Sequence, residues 1–313
     1  MTPVTVRREV LGVGLAAMLP CDAALRLAAE HPAANPGFTL TVDLADDTVA
    51  GADAECGLMH RSAEKLFEAR DYRQAMLLAN RHDWLSSFCG ELTIALAAEQ
   101  ALGIVPPERA TWTRTLVVEA QRIDAALAFV APVIAAGAVR AAVDDVREGL
   151  AEALATLSGA RVHPGYARIG GVAHAPPDAA LADYARVARA ADELGPGLAA
   201  AVEAYVVGLA GVGALSVQQA KSLGTSGIVA RASGFDFDLR RDDPALAYGD
   251  LADVVHAGVL ADGDAPARYR LLVDQVADAA RIVAACVDRL RLLGPGPFDV
   301  PLPKVVRLPE GTT

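Results

Sequence analysis

Aromatic side chains make up only 5% of the 313 residues, and the 28 basic residues are outnumbered by 39 acidic ones. The resulting formal charge of -11 has the wrong sign for gripping phosphate backbones, which argues against nucleic acid as a partner. Cysteine is scarce too: Cys21, Cys56, Cys89 and Cys286 lie far apart and form no C-x-x-C pair. That spacing is poor for a structural zinc, an iron–sulfur cluster or a disulfide framework, leaving buried thiols in a reducing compartment as the expectation. Mean hydropathy is +0.30, yet no run of about 20 uninterrupted apolar residues exists to cross a bilayer. The nearest candidates, 125–139 and 199–215, carry Pro132 and Glu203 and read as buried core helices.

Several motifs are also missing. Gly12-Val13-Gly14 and Gly211-Val212-Gly213 lack the third glycine and the preceding strand of a dinucleotide fingerprint, and 224–227 lacks the lysine of a phosphate loop. None of the six histidines pairs with a carboxylate at metalloprotease spacing, and Ser226 sits outside a G-x-S-x-G frame. Arg7-Arg8 ahead of the apolar run 11–19 imitates an export signal, but Pro20 stands where a lipid-attachment site needs a small residue. We read 1–21 as an apolar leader packing on the domain.

What is present is 53% apolar residues, much of them alanine, which favours helix while burying little area per residue. The composition predicts a helical protein with a thinly packed core. Phe38, Leu40, Val42 and Leu44 alternate with polar residues as one strand face does, and a turn at Asp46-Asp47 predicts a hairpin within 22–56. Helices follow: one opened by Ser62, one capped by Asp71, then 84–102 closed by Gly103, 107–130, and 140–157 stopped by Gly159, with a break at Pro132. The segment 159–177 reads as a long loop, since it holds Pro164 and several glycines. Helices resume over 178–194, 197–209 and, from a Ser216–Gln219 capping box, to Gly224; a long one spans 266–292. The tail 293–313 has no evident partner. The helical domain is thus expected over 57–292.

Particular stretches resemble the D subunit of NADH-quinone oxidoreductase, respiratory complex I. They are His31-Pro32-Ala33-Ala34-Asn35, Gly57-Leu58-Met59-His60-Arg61-Ser62-Ala63-Glu64-Lys65-Leu66-Phe67, Asn80-Arg81-His82-Asp83-Trp84, Arg168-Ile169-Gly170-Gly171-Val172, and Ala230-Arg231-Ala232-Ser233-Gly234 with Asp238-Leu239-Arg240-Arg241. The matches keep the family's order from about residue 22 to Pro303. The resemblance implies a mainly α protein with a small N-terminal antiparallel β-element, related to nickel–iron hydrogenase large subunits. It implies no cofactor bound by this chain, an iron–sulfur subunit and other peripheral-arm subunits as partners, and quinone as the substrate of the complex. Placement on the cytoplasmic side of the plasma membrane, through the complex, follows from the same resemblance.

The resemblance also exposes departures. The family's hairpin tip reads His-Pro-x-x-His-Gly, and its second histidine is Asn35 here, followed by Pro36. The tyrosine after Arg-x-Asp is Trp84, the histidine of Arg-Ile-x-x-His aligns with Ala126, and a further aspartate falls near Val133. The candidate quinone cleft is therefore His31, Asn35 and Trp84, with the usual proton donors replaced. Met59 and Phe88 are expected in the core, and His163 and Tyr166 at an interface. The chain ends at Thr313, where family members continue into a further segment. An alternative reading is a catalytically silent structural or assembly paralogue.

Overall fold

The computed structural model describes residues 6–12, 23–26, 38–46, 48–57, 59–303 and 306–311. Two compact units emerge, Met1–Leu66 and Phe67–Thr313. In the first, β1 (Val6–Gly12), β2 (Ala23–Arg26), β3 (Phe38–Ala45) and β4 (Thr48–Cys56) form a sheet of order β2-β1-β3-β4. The β3–β4 hairpin is antiparallel, as its alternation predicts, with a register shift at Asp43/Leu44 and Asp46 in the left-handed region (φ 54°). Two features differ from expectation. β1, inside the stretch read as a leader, pairs antiparallel with β3 from Val6 opposite Ala45 to Gly12 opposite Thr39, and β2 runs parallel to β1. The edge of β3 offers unpaired backbone groups, and an N-terminal segment with Val6 and Val10 satisfies them.

The second unit is helical. Its elements are α2 (Tyr72–Asn80), α3 (Ser87–Leu102), α4 (Glu108–Val130), α5 (Ala138–Ser158), α6 (Asp178–Val206), α7 (Val217–Ser222), α8 (Gly227–Ala232), α9 (Leu239–Asp242) and α10 (Ala265–Leu293), preceded by a short α1 (Ala63–Glu68). α10 packs along α4 and α6, and α6 along α5, giving the main bundle. Alanines such as Ala120, Ala153, Ala188 and Ala279 are buried in it, but so are Leu116, Ile123, Leu127, Leu181, Leu198, Ile282 and Leu290, in one continuous core. Local signals place most ends: the Asp71 carboxylate accepts from the Gln74 N–H, the Ser216–Gln219 capping box is complete, and Gly103 and Gly159 close α3 and α5 in the left-handed conformation.

Three corrections concern elements. The helix predicted from Trp84 starts at Ser87, so Trp84 lies in the preceding turn. The two helices predicted over 178–209 are one helix, α6, with Pro196 inside it. Leu194, Leu198 and Val202 stay buried on both sides of that proline, and this burial offsets the roughly 3 kcal/mol that an interior proline costs. The loop 159–177 contains a two-stranded hairpin, β5 (Ala167–Arg168) and β6 (Gly171–Val172). The tail does find a partner: the Val172 N–H donates to the Phe298 carbonyl (3.0 Å) and the Val300 N–H to that of Gly170 (2.9 Å). A Cβ on Gly171 would sit 2.2 Å from the Phe298 oxygen, so the approach requires glycine there.

Candidate functional site

Of the sequence-derived candidates, His31 and Asn35 lie outside the described residues. Trp84 is 61% exposed and rims a cleft of 290 Å³ between its turn, α4, α5, α6 and the segment after α5. Ala120, Leu150, Ala151, Leu154 and Tyr184 supply the apolar floor, and Leu85 and Val162 join Trp84 at the mouth. The walls carry charge in neutralised pairs: Arg147 Nε reaches Asp124 at 2.8 Å, Arg161 reaches Glu148 at 2.6 Å, and Arg140 reaches Asp144 at 3.2 Å. Gln121 fixes the inner end, accepting from the Phe88 N–H (3.0 Å) and donating to Ser87 Oγ (3.2 Å), which itself donates to the Val162 carbonyl. The arrangement suits a flat, uncharged molecule more than an ion, since an aromatic rim and aliphatic floor face no unbalanced charge.

The neighbouring β5–β6 hairpin is held from inside by α3. Glu91, buried, accepts from the backbone N–H groups of Gly165 (2.7 Å), Tyr166 (2.9 Å) and Ala167 (3.0 Å), and from the Asn80 side chain. Two helical turns on, Glu99 accepts from the Gly170 N–H (2.6 Å) and both terminal nitrogens of Arg114 (2.9 and 2.6 Å), while Arg114 also donates to the carbonyls of Arg168 and Gly171. Tyr166 is buried here, its hydroxyl donating to the His174 carbonyl (2.6 Å), which corrects its expected interface position. Met59 is likewise corrected, being 58% exposed, whereas Phe88 is in the core as expected.

Sequence reasoning missed a buried ionic cluster. Arg240 bonds Asp238 (3.0 Å) and Asp278 (2.8 Å) and lies 3.5 Å from Glu119, which pairs with Arg122 and accepts from the Tyr248 hydroxyl at 2.5 Å. Burial alone would disfavour the charge on Arg240, but these three carboxylates reverse that and raise its pKa. Burial pushes the Tyr248 phenol up, and adjacent Glu119 pushes it further. Nearby, burial raises the Cys89 thiol to about 11, so it is neutral at physiological pH. Asp238, Arg240 and Arg241 stand out in the sequence as a charged run. That run could equally have been a solvated face, and nothing local distinguishes the two.

Among the described residues no three His, Cys, Asp or Glu side chains are placed to hold a metal ion. Cys56, Cys89 and Cys286 are free thiols, and Cys21 lies outside the described residues. Ala126, in the position of the family's histidine, is 2% exposed and packed in the core; Val133 belongs to the turn after α4. No described helix is long and apolar enough to cross a membrane.

Residues 135–311 match the family described as respiratory-chain NADH dehydrogenase, 49 Kd subunit. The chain is 42% identical to NADH-quinone oxidoreductase D subunit 1 of Streptomyces coelicolor, over 100% of this chain and 82% of that protein. It is 40% identical to a D subunit 2 of Salinispora tropica, over 100% and 81%, and 35% identical to the D subunit of Granulibacter bethesdensis, over 92% and 72%. These relatives also span the Trp84 turn and α4, which the family match does not reach. A mainly helical body with a small β-element, matched along its whole length by proteins of one kind, belongs to the family of the NADH-quinone oxidoreductase D subunit, the 49 kDa subunit of complex I.

Proposed function

We propose that the chain contributes one wall of the quinone-reduction cleft of an NADH-quinone oxidoreductase, beside an iron–sulfur subunit and without a redox cofactor of its own. In this reading it sits with the other peripheral-arm subunits on the cytoplasmic side of the plasma membrane. The observation that carries it is the exposed indole of Trp84 at the mouth of an aliphatic, charge-balanced cleft. A quinone ring stacks on an indole, and its carbonyl oxygens need hydrogen-bond donors.

Reduction requires two electrons and two protons at those oxygens. A histidine and a tyrosine in the family's positions both bind and protonate; Asn35 and Trp84 donate hydrogen bonds, worth about 1 kcal/mol net each, but exchange no proton usefully near neutral pH. An otherwise complete enzyme carrying this chain is therefore expected to reduce quinone at least ~100-fold more slowly than one with a His/Tyr subunit. Asn35→His with Trp84→Tyr should recover part of the rate in steady-state NADH:quinone assays. Near-normal rates with the unmodified chain would refute the loss of proton delivery. A second reading, an assembly subunit without turnover, draws on Ala126, whose methyl packs into the core in the position of a family histidine. Its signature is a complex that forms normally and stays inactive after both substitutions.

A further inference from the structure

Inside the cleft, almost every polar group already has a protein partner. Gln121 is bonded to Phe88 and Ser87, Asp124 to Arg147, Asp144 to Arg140, and Glu148 to Arg161. Tyr184 is the exception. It stands on α6, is 1% exposed, and lines the floor of the cleft, yet its hydroxyl makes no hydrogen bond to any described residue. A phenol this deeply buried ordinarily finds a partner, because burying an unpaired hydroxyl costs more than burying a paired one. Tyr166, the other buried tyrosine of this region, does so through the His174 carbonyl.

We propose that the Tyr184 hydroxyl is the hydrogen-bond donor to a carbonyl oxygen of the ligand in this cleft. The proposal rests on the quinone reading above and adds a residue to it. A phenylalanine would fill the same volume at this position with no unpaired group, so the hydroxyl serves something outside the protein. Aliphatic neighbours, Leu150, Leu154 and Ala151, leave an acceptor oxygen little else to bond. Burial also pushes the phenol far above its usual range, so Tyr184 stays protonated and a donor throughout the physiological pH span. It holds a carbonyl without ionising, which separates its role from proton delivery.

The test uses the full chain, with menadione (2-methyl-1,4-naphthoquinone) and its carbonyl-free counterpart 2-methylnaphthalene as probes. Tyr184→Phe should leave the melting temperature unchanged, since no protein partner is lost. It should weaken menadione about 5-fold, the effect of one hydrogen bond, and leave 2-methylnaphthalene unaffected. In the infrared, a carbonyl band of bound menadione should move up towards its position in apolar solvent. Unchanged menadione affinity and an unshifted band in Tyr184→Phe, with Trp84→Ala still weakening binding, would overturn the Tyr184 assignment and leave the quinone reading standing. No menadione binding by the unmodified chain would overturn both.

Discussion

At the residue scale, the side chain with most at stake is Arg114. It is fully buried and joins α3, α4 and the β5–β6 hairpin through Glu99 and the carbonyls of Arg168 and Gly171. Arg114→Ala strands the Glu99 carboxylate in the interior, and losses from breaking one partner of such a pair run to about 3–5 kcal/mol. Urea unfolding should show it, and Glu99→Ala with Arg114→Ala should cost less than the sum of the single changes. None of this was legible in the sequence, where the two residues are an unexceptional acid and base on neighbouring helices. Trp84 was legible, because an aromatic in place of a family tyrosine stands out without any knowledge of its surroundings. Tyr184 was not: it occupies an ordinary inward position of an alanine-rich helix, and what distinguishes it is a missing partner, which only the packing reveals.

At the element scale, helix ends were readable where the signal is local. Asp264 belongs to that group: at the N-cap of α10, its carboxylate accepts from the Ala267 N–H (3.0 Å) and, across a loop, from the Gly211 N–H (2.9 Å). Those N–H groups favour the ionised form and hold its pKa below the usual carboxylate range. A depressed folded pKa means stabilisation that is complete above about pH 5 and is lost as pH falls through the ordinary value near 4 and then the folded one. Asp264→Ala should cost about 1 kcal/mol at pH 7, with the difference from the unmodified chain shrinking in unfolding curves taken towards pH 3. Elements governed by distant contacts were misjudged. Proline chemistry argued for a break at Pro196, and burial on either side of it prevailed; glycine and proline content argued for a plain loop over 159–177, and α3 imposed a hairpin on it.

At the scale of the whole chain, the sequence conveyed family and class through motifs spread over most of its length, while the assembly of the cleft region depends on contacts between remote segments. Glu91 bonds residues 74–76 positions later, and the hairpin so held pairs with Phe298 and Val300, more than 125 positions beyond it. Arg73 reaches the same tail, donating to the Pro303 carbonyl at 3.0 Å. Deleting 298–313 should expose the 159–177 segment to limited proteolysis while the α4–α6–α10 bundle remains resistant; equal protection in the shortened chain would contradict the docking described above. During synthesis on the ribosome, the helical bundle can begin to condense as α10 emerges, but the hairpin waits for its last edge until residues near 300 clear the exit tunnel. The β5–β6 region is therefore a late part of this body to close, and a chaperone has the whole interval between the emergence of α3 and that of the tail in which to recognise it.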